Sequence, residues 1–467
     1  MDKKNFVIDQ SIFRDYDIRG IYPSEINEKT FFFLGRALAV YLKVSKIAVG
    51  RDTRLSSPSL FNALVSGIME QGTDVIDLGL ISTEMNYFAS GFYRFPANVI
   101  VSASHNPPEY NGLKIVKKDV VPLHGSFGIP EIKDLAVRQI FPSSPRMGNM
   151  SNKSILKDWL KHLLTFIDIG KLKNLKVVID AGNGMGGISW RELKSELPLE
   201  IIGMFFEPDG NFPNHLPDPL QKINLKALKN KIKTEKADLG FAIDGDADRL
   251  FVIDDRGIEL SGSTTAAMLA EHLISLYGPN PVLYSVTCSR TVPEIILKGH
   301  GQAIRTRVGH SFIKMEMKKS KALFAGEHSG HYYFRKNYNA DSSTVAGLLF
   351  LQFLSMKNMP LSVLRKDYET YYQSGEINYQ VDYLSDFFHN LLKAFSGKKI
   401  DQLDGVTVES ENWWFNIRSS KTEPLIRLNL EARSRELLSS KLNFLDNLIK
   451  KLGGRIKNDS ITNEIRA

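Results

Sequence analysis

Short apolar runs rich in β-branched residues alternate with helical patterns along most of this chain, and that alternation narrows its fold more than any other feature. Strands joined through helices pair in parallel, and a parallel sheet needs cover on both faces, so the pattern predicts α/β domains. Three units share one layout, an apolar run that ends in a polar or glycine-rich loop and leads into a helical stretch. They are KIAVGRDTR at 46–54, KVVIDAGNG at 176–184 and PVLYSVTCSR at 281–290. With about 150 residues per domain, the 467 residues have room for about three such domains. Towards the C-terminus VTVES, WWFNIR and LIRLNLEA read as closely spaced strands, followed by an amphipathic helix over 434–452. The expected fold class is thus α/β, three related α/β domains with mixed, mostly parallel sheets plus a C-terminal α+β domain.

Boundaries are expected where composition changes. FPSSPRMGNMS at 141–151 is rich in Pro, Ser and Gly, Asp254–Gly257 is a charged turn, and a third break falls near 367–375. The resulting units are 1–147, 148–255, 256–369 and 370–467.

Hydrophobic residues at 43% and charged residues at 24% fit globular domains rather than a disordered chain. Cys288 is the lone cysteine, which excludes a disulfide framework and a cysteine zinc site within one chain and suits a reducing compartment. The N-terminal stretch has no apolar segment of signal-peptide length, and the longest apolar run, Phe31 to Leu42, is broken by Arg36. A cytoplasmic protein without membrane contact is expected. The net charge of +8 concentrates in Lys222–Lys236, where Ile223, Leu225, Leu228 and Ile232 are expected near one helical face and the lysines on a solvated one. No zinc-finger spacing, RNA-recognition motif or Arg-rich tail accompanies that run, so no nucleic-acid partner is expected.

Four motifs carry chemistry. Asp244-Gly245-Asp246-Ala247-Asp248-Arg249 lies between the strand-like ADLGFAI and LFVID. In an extended segment its three carboxylates fall on one side and repel unless a hard divalent cation, Mg²⁺ above all, joins them. An EF-hand is excluded because Arg249 and Asp255 stand where that loop needs Gly and Glu. Ser102-Ala103-Ser104-His105-Asn106 follows the strand ANVIV, so Ser104 and His105 are expected at the carboxyl edge of a parallel sheet, with Lys114 close enough to return to the same pocket. Glu327, Ser329 and His331 in GEHSGH can accept from and donate to sugar hydroxyls, although a histidine metal site is also open. Arg418, Ser420, Lys421 and Thr422 in RSSKTEP offer a phosphate cradle, or else a polar hairpin turn. A competing signal is Gly182-Asn183-Gly184-Met185-Gly186-Gly187, which satisfies a dinucleotide fingerprint with Glu207 beyond it. Asp180 just before the loop would repel a pyrophosphate, which favours a structural role.

Together the four motifs, in this order, resemble the alpha-D-phosphohexomutase family, and the resemblance extends over FRDYDIRG at 13–20, GRDTRLS at 50–56 and DGNFPNH at 209–215. It implies four domains around a central cleft and a Mg²⁺-dependent enzyme interconverting hexose 1- and 6-phosphates of mannose or glucose. By this resemblance Ser104 carries a phosphoryl group and shares the metal with Asp244, Asp246 and Asp248. A hexose 1,6-bisphosphate serves as intermediate and activator. Arg249 offsets charge on the moving phosphoryl, and acid/base work belongs among His105, Lys114, His310 and His331. Glu327 and Ser329 read sugar hydroxyls, Arg418, Ser420, Lys421 and Thr422 hold the resting phosphate, and Tyr16 and Arg19 close the site from the first domain; a monomer or dimer acting on a small phosphosugar is expected. Lys421, Thr287 and Val308 depart from the usual residues, which bears on sugar choice. His328 departs from the Gln expected of a phosphoglucosamine mutase, the alternative within the family, and Pro108-Glu109-Tyr110-Asn111 favours the mannose/glucose branch. An NAD-dependent oxidoreductase rests on the glycine loop alone.

Overall fold

The structure is a computed structural model that describes residues 6–420 and 425–457. Its first three domains repeat one sheet. In the first, Lys46–Arg51, Asp74–Leu80 and Ala97–Val101 run parallel, and Tyr110–Lys117 lies antiparallel against Ala97–Val101. The second has Lys176–Asp180, Glu200–Met204 and Leu239–Ile243 parallel, with Leu250–Asp254 antiparallel. The third has Pro281–Ser285, Gln302–Thr306 and Phe324–Gly326 parallel, with Tyr332–Phe334 antiparallel.

The spatial order is the same each time: antiparallel strand, third, first, second. The strands 97–101 and 239–243 are buried at every position, as strands covered on both faces must be. This order has a functional consequence. The turn from the third strand into its antiparallel neighbour stands at the carboxyl edge of each sheet, and those three turns are 102–109, 244–249 and 327–331. Three of the four chemical motifs therefore occupy one topological position, repeated.

The first sheet reaches further than the boundary expected at 147, because Met150–Asn152 pairs in parallel with Asp74–Leu80. The chain is led along that edge by the Asp74 carboxylate, which accepts from the Arg146 guanidinium at 3.0 Å and the Asn149 N–H at 2.9 Å. Three exposed residues carry no alternation from which such a strand could be read. The basic run also differs from expectation. Leu225, Leu228 and Ile232 are buried, but Ile223 lies in a 3-10 turn, Lys222–Leu225, ahead of the helix Lys226–Glu235 and is 70% exposed.

One apolar core runs through parts of all three domains, from Ala48 and Phe88 through Trp190 and Phe241 to Phe350 and Tyr368. Its axis is the helix Ser343–Lys357, buried on nearly every side. The Glu84 carboxylate, from the first domain, caps this helix by accepting from Ser342 Oγ, the Thr344 N–H and Thr344 Oγ1. Among the described residues no single helix is long and apolar enough to cross a membrane.

The last domain is an antiparallel sheet with Lys399–Asp401, Val406–Glu409, Trp413–Ser419, Leu425–Ala432, Tyr372–Val381 and Gly454–Ile456 in that order. Helices Leu384–Ala394 and Arg435–Lys451 pack into its separate core, the second through Leu438, Leu442, Leu445 and Ile449 at helical spacing.

Candidate active site

Ser104 stands in the left-handed region at φ +53°, a conformation that a serine keeps only where its surroundings fix it. Arg54 supplies that fixing. Its buried guanidinium donates to the carbonyls of Ser104 (2.8 Å), Asn106 (2.6 Å), Pro107 (2.6 Å) and Tyr110 (3.0 Å), while Nε pairs with Asp52 at 3.2 Å. The Ser104 hydroxyl then lies 3.1 Å from His105 Nδ1 and donates to Asp244 Oδ2 at 3.3 Å. Burial, with the Arg249 and Arg19 charges, holds the His105 imidazole well below its ordinary pKa.

The three aspartates converge, though not along an extended segment. Residues 244–249 curl into a turn with Ala247 at φ +63°, and Asp244 Oδ1 accepts from the N–H groups of Asp248 (3.1 Å) and Arg249 (3.0 Å). One carboxylate oxygen of each aspartate lies within 4.8 Å of the others, and all three side chains are buried. Gly245 is required here because a Cβ would meet the Ser104 carbonyl oxygen at 2.4 Å. Lys114 bridges Asp246 Oδ2 (2.5 Å) and Asp248 Oδ2 (2.7 Å), Thr83 Oγ1 donates to Asp246 Oδ2 at 2.5 Å, and Arg249 Nε donates to Asp244 Oδ2 at 2.8 Å.

Burial and the neighbouring Asp248 charge raise the Asp244 carboxyl. For Asp248 burial acts the same way but is outweighed by Lys114 and His331, which hold it well below the usual carboxylate range. Lys114 is held well above its ordinary value, its own burial notwithstanding, by Asp246 and Asp248. The cluster fits a hard divalent cation. Asp246 Oδ1 is buried without a hydrogen-bond partner among the described residues, and an all-oxygen set of this charge suits Mg²⁺.

From the third domain Glu327 accepts from Tyr333 Oη at 2.6 Å and from the Gly309 N–H at 3.2 Å. His331 lies 3.0 Å from Ser329 Oγ through Nδ1 and 3.4 Å from Asp248 Oδ1 through Nε2. The loop is seated on the second domain by the Leu250 N–H, which donates to the Gly330 carbonyl at 3.0 Å. His310 opens the helix His310–Ser320. Burial first, then the Lys314 and Lys114 charges, holds it well below its ordinary value. Tyr16 reaches across from the first domain, its ring 5.5 Å from that of His310 and its hydroxyl donating to the Val308 carbonyl at 3.4 Å.

Comparison with known proteins decides what this arrangement belongs to. Models described as phosphoglucomutase/phosphomannomutase alpha/beta/alpha domains I, II and III match residues 10–140, 157–257 and 261–371. The chain belongs to the phosphoglucomutase/phosphomannomutase family, the alpha-D-phosphohexomutases. A phosphomannomutase of Escherichia coli is 35% identical over 433 residues, 90% of this chain and 95% of that protein. One of Methanocaldococcus jannaschii is 36% identical over 447 residues, 95% and 98% of the two chains. A phosphoglucomutase/phosphomannomutase family protein of Burkholderia thailandensis superimposes with a TM-score of 0.88 at 30% identity, covering 96% of this chain and all of the other. As a member of this family the protein is a phosphotransferase mutase, and the family is Mg²⁺-dependent.

The structure brings most of the expected site residues together. Ser104, His105, Lys114, Asp244, Asp246, Asp248, Arg249 and His331 form one connected set, with Glu327, Ser329, His310 and Tyr16 against it. Arg19 bonds Asn106 Oδ1 of the serine loop and Asp17. Arg418 pairs with Glu376 of its own domain at 2.8 Å, and Arg427 reaches Ser420 Oγ at 3.4 Å. Lys421 and Thr422 lie outside the described residues.

The glycine loop gives the oxidoreductase reading no support. A Cβ on Gly184 would meet the Gly245 carbonyl oxygen at 2.6 Å, and the Met185 N–H donates to that same oxygen at 2.9 Å, so the loop is a seat for the aspartate turn. Asp180 accepts from the Gly182 N–H and pairs with His215. Sequence reasoning assigned no role to Arg54, Thr83, Tyr87, Lys314 or Asp341. Arg54 lay within a matching segment, but its bonds cross about fifty residues of chain.

Proposed function

We propose that this phosphohexomutase interconverts the 1- and 6-phosphates of mannose or glucose through Ser104. The observation that carries the reading is the Ser104 hydroxyl, 3.3 Å from Asp244 Oδ2 at the mouth of three clustered buried carboxylates. Asp244, Asp246, Asp248 and the phosphorylated Ser104 would hold Mg²⁺, which supplies positive charge against the transferring phosphoryl. The bond from Ser104 Oγ to phosphorus breaks as O6 of a hexose 1-phosphate bonds it; the proton of that hydroxyl passes to a base among His105, His310 and His331, and the departing Ser104 Oγ takes up a proton in turn, while Lys114, held as an ammonium between Asp246 and Asp248, can donate a proton but not accept one. The resulting 1,6-bisphosphate turns over in the site, and its other phosphoryl returns to Ser104. A hexose 1,6-bisphosphate from outside primes an unphosphorylated Ser104.

The domains divide this work: the first, whose sheet runs on to Asn152, carries the phosphoserine, the second, up to 255, the metal, 256–369 the sugar contacts, and 370–467 the resting phosphate. Arg249 offsets phosphoryl charge, Glu327 and Ser329 bind sugar hydroxyls, and Tyr16 and Arg19 close the cleft. Arg418, Ser420, Lys421 and Thr422 take the phosphate that does not react. Buried Cys288 as the sole cysteine supports a reducing, cytoplasmic setting, with the enzyme acting as monomer or dimer.

The test is conversion of mannose, glucose and glucosamine 1-phosphates to 6-phosphates with Mg²⁺ and trace glucose 1,6-bisphosphate. Turnover of the first two, abolished in Ser104→Ala, is the expected result. Preference for the glucosamine substrate, or an active Ser104→Ala enzyme, would refute the reading.

A further inference from the structure

A buried ion pair lies beside the two histidines of the third domain. Lys314 Nζ is 2.8 Å from Asp341 Oδ1, with the two side chains 3% and 1% exposed. Lys314 stands four residues beyond His310 on the helix His310–Ser320, one turn further along the same side. Asp341 belongs to the strand Ala340–Asp341, paired across from Tyr333, and has a carboxylate oxygen within 4.8 Å of a His331 ring nitrogen and of Asp248. The pair therefore ties the helix that begins at His310 to the sheet edge that carries His331. It also meets the first domain, because Nζ lies 3.5 Å from the ring centroid of Tyr87 on the helix Thr83–Phe92.

Stability does not explain such a pair. Two charges taken out of water cost about as much as their attraction returns, and apolar side chains of similar volume are often as stable. Nor does Asp341 need a second metal beside Asp248 and His331, since the Lys314 ammonium is already the cation that answers it. What the pair supplies is a short, buried electrostatic tie, Nζ to Oδ1 at 2.8 Å, between elements that must hold two imidazoles in register.

We propose that Lys314 and Asp341 are positioning residues of the mutase reaction, their buried pair fixing His310 and His331 relative to each other at the junction of the first and third domains. This deepens the reading of the site given above and rests on it.

The test compares wild-type enzyme, Asp341→Asn, and the double variant Lys314→Met/Asp341→Leu by kcat, KM and Tm in the Mg²⁺-supported glucose 1-phosphate assay. Asp341→Asn should lower both Tm and kcat. The double variant should regain the wild-type Tm, since neither charge is left unpaired, while kcat stays about tenfold to a hundredfold low and KM moves less than about threefold. A double variant with wild-type kcat would reduce the pair to packing and overturn the proposal, as would a loss confined to KM. If the double variant does not fold, Lys314→Arg decides. It keeps the charge but displaces it, so kcat should fall at unchanged Tm, and an unchanged kcat overturns the proposal. A wild-type enzyme inactive on every phosphosugar would instead refute the reading of the site.

Discussion

At the residue scale the site depends on side chains that hold backbone as much as on those that face the cleft. Arg54 is the clearest case, because one guanidinium satisfies four carbonyls of the serine loop and neutralises Asp52. A lysine has three donors on a single nitrogen and cannot reproduce that planar fork. Arg54→Lys is therefore expected to leave buried carbonyls unpaired and to cost about 2–4 kcal/mol of stability. Ser104, released from φ +53°, should also lose its place beside Asp244, so kcat falls with the stability. Chemical denaturation and steady-state kinetics on the purified variant check both. Wild-type stability with low activity would mean that Arg54 acts on the substrate and not on the loop.

At the element scale, helix Gly262–Tyr277 packs beside the central helix Ser343–Lys357, and His272 is sealed between them with its ring 5.7 Å from that of Phe353. Burial, aided by the Lys171 charge, lowers its pKa from 6.5 to about 4. In the unfolded chain the imidazole binds a proton near 6.5, so between about 4 and 6.5 the unfolded state holds more protons than the folded one. The stability from a neutral His272 is full above about 6.5 and is lost as pH falls towards about 4, by about 3 kcal/mol in total. His272→Leu removes that dependence. Its Tm should fall less than that of the wild type between pH 6.5 and 4.5, and parallel Tm curves for the two proteins would count against the assignment. The same scale shows what the sequence made legible. The turns at 102–109, 244–249 and 327–331 could be read because each packs its chemistry into a few consecutive residues between recognisable strands. Lys314 and Asp341 could not, since a lysine on a polar helix and an aspartate before serines look like solvated surface until the fold joins them across 27 residues. Thr83 and Lys114 reach Asp246 across 163 and 132 residues, and of these only Lys114 was anticipated, from its nearness in sequence to the serine loop and from the family resemblance. The strand Tyr372–Val381 escaped notice because Gly375 and a register shift between Gln373 and Glu376 interrupt its alternation.

At the scale of the whole molecule, the distribution of apolar contacts sets how the enzyme comes apart. The main core joins residues from Ala48 to Tyr368, so the first three domains share buried surface and should lose it together. The last domain keeps its own core, from Ile377 to Ile449. The bonds that dock it onto the third domain include Arg290 to the Ser410 and Glu411 carbonyls, Arg305 to Asp401 and Glu409, and the Val308 N–H to Asp404. Arg305 and its partners are partly exposed, where ion pairs are worth about 0–1 kcal/mol each and weaken as salt shortens the screening length. Calorimetry of the intact chain should therefore show two transitions, the larger from the first three domains and the smaller from the last. Raising NaCl towards molar concentration should separate them further by weakening the docking bonds while leaving each core intact. A single transition that stays single in high salt would mean that the fourth domain is welded to the others, and the proposed binding of the resting phosphate at Arg418 would then require the site to close by some motion other than that domain's own.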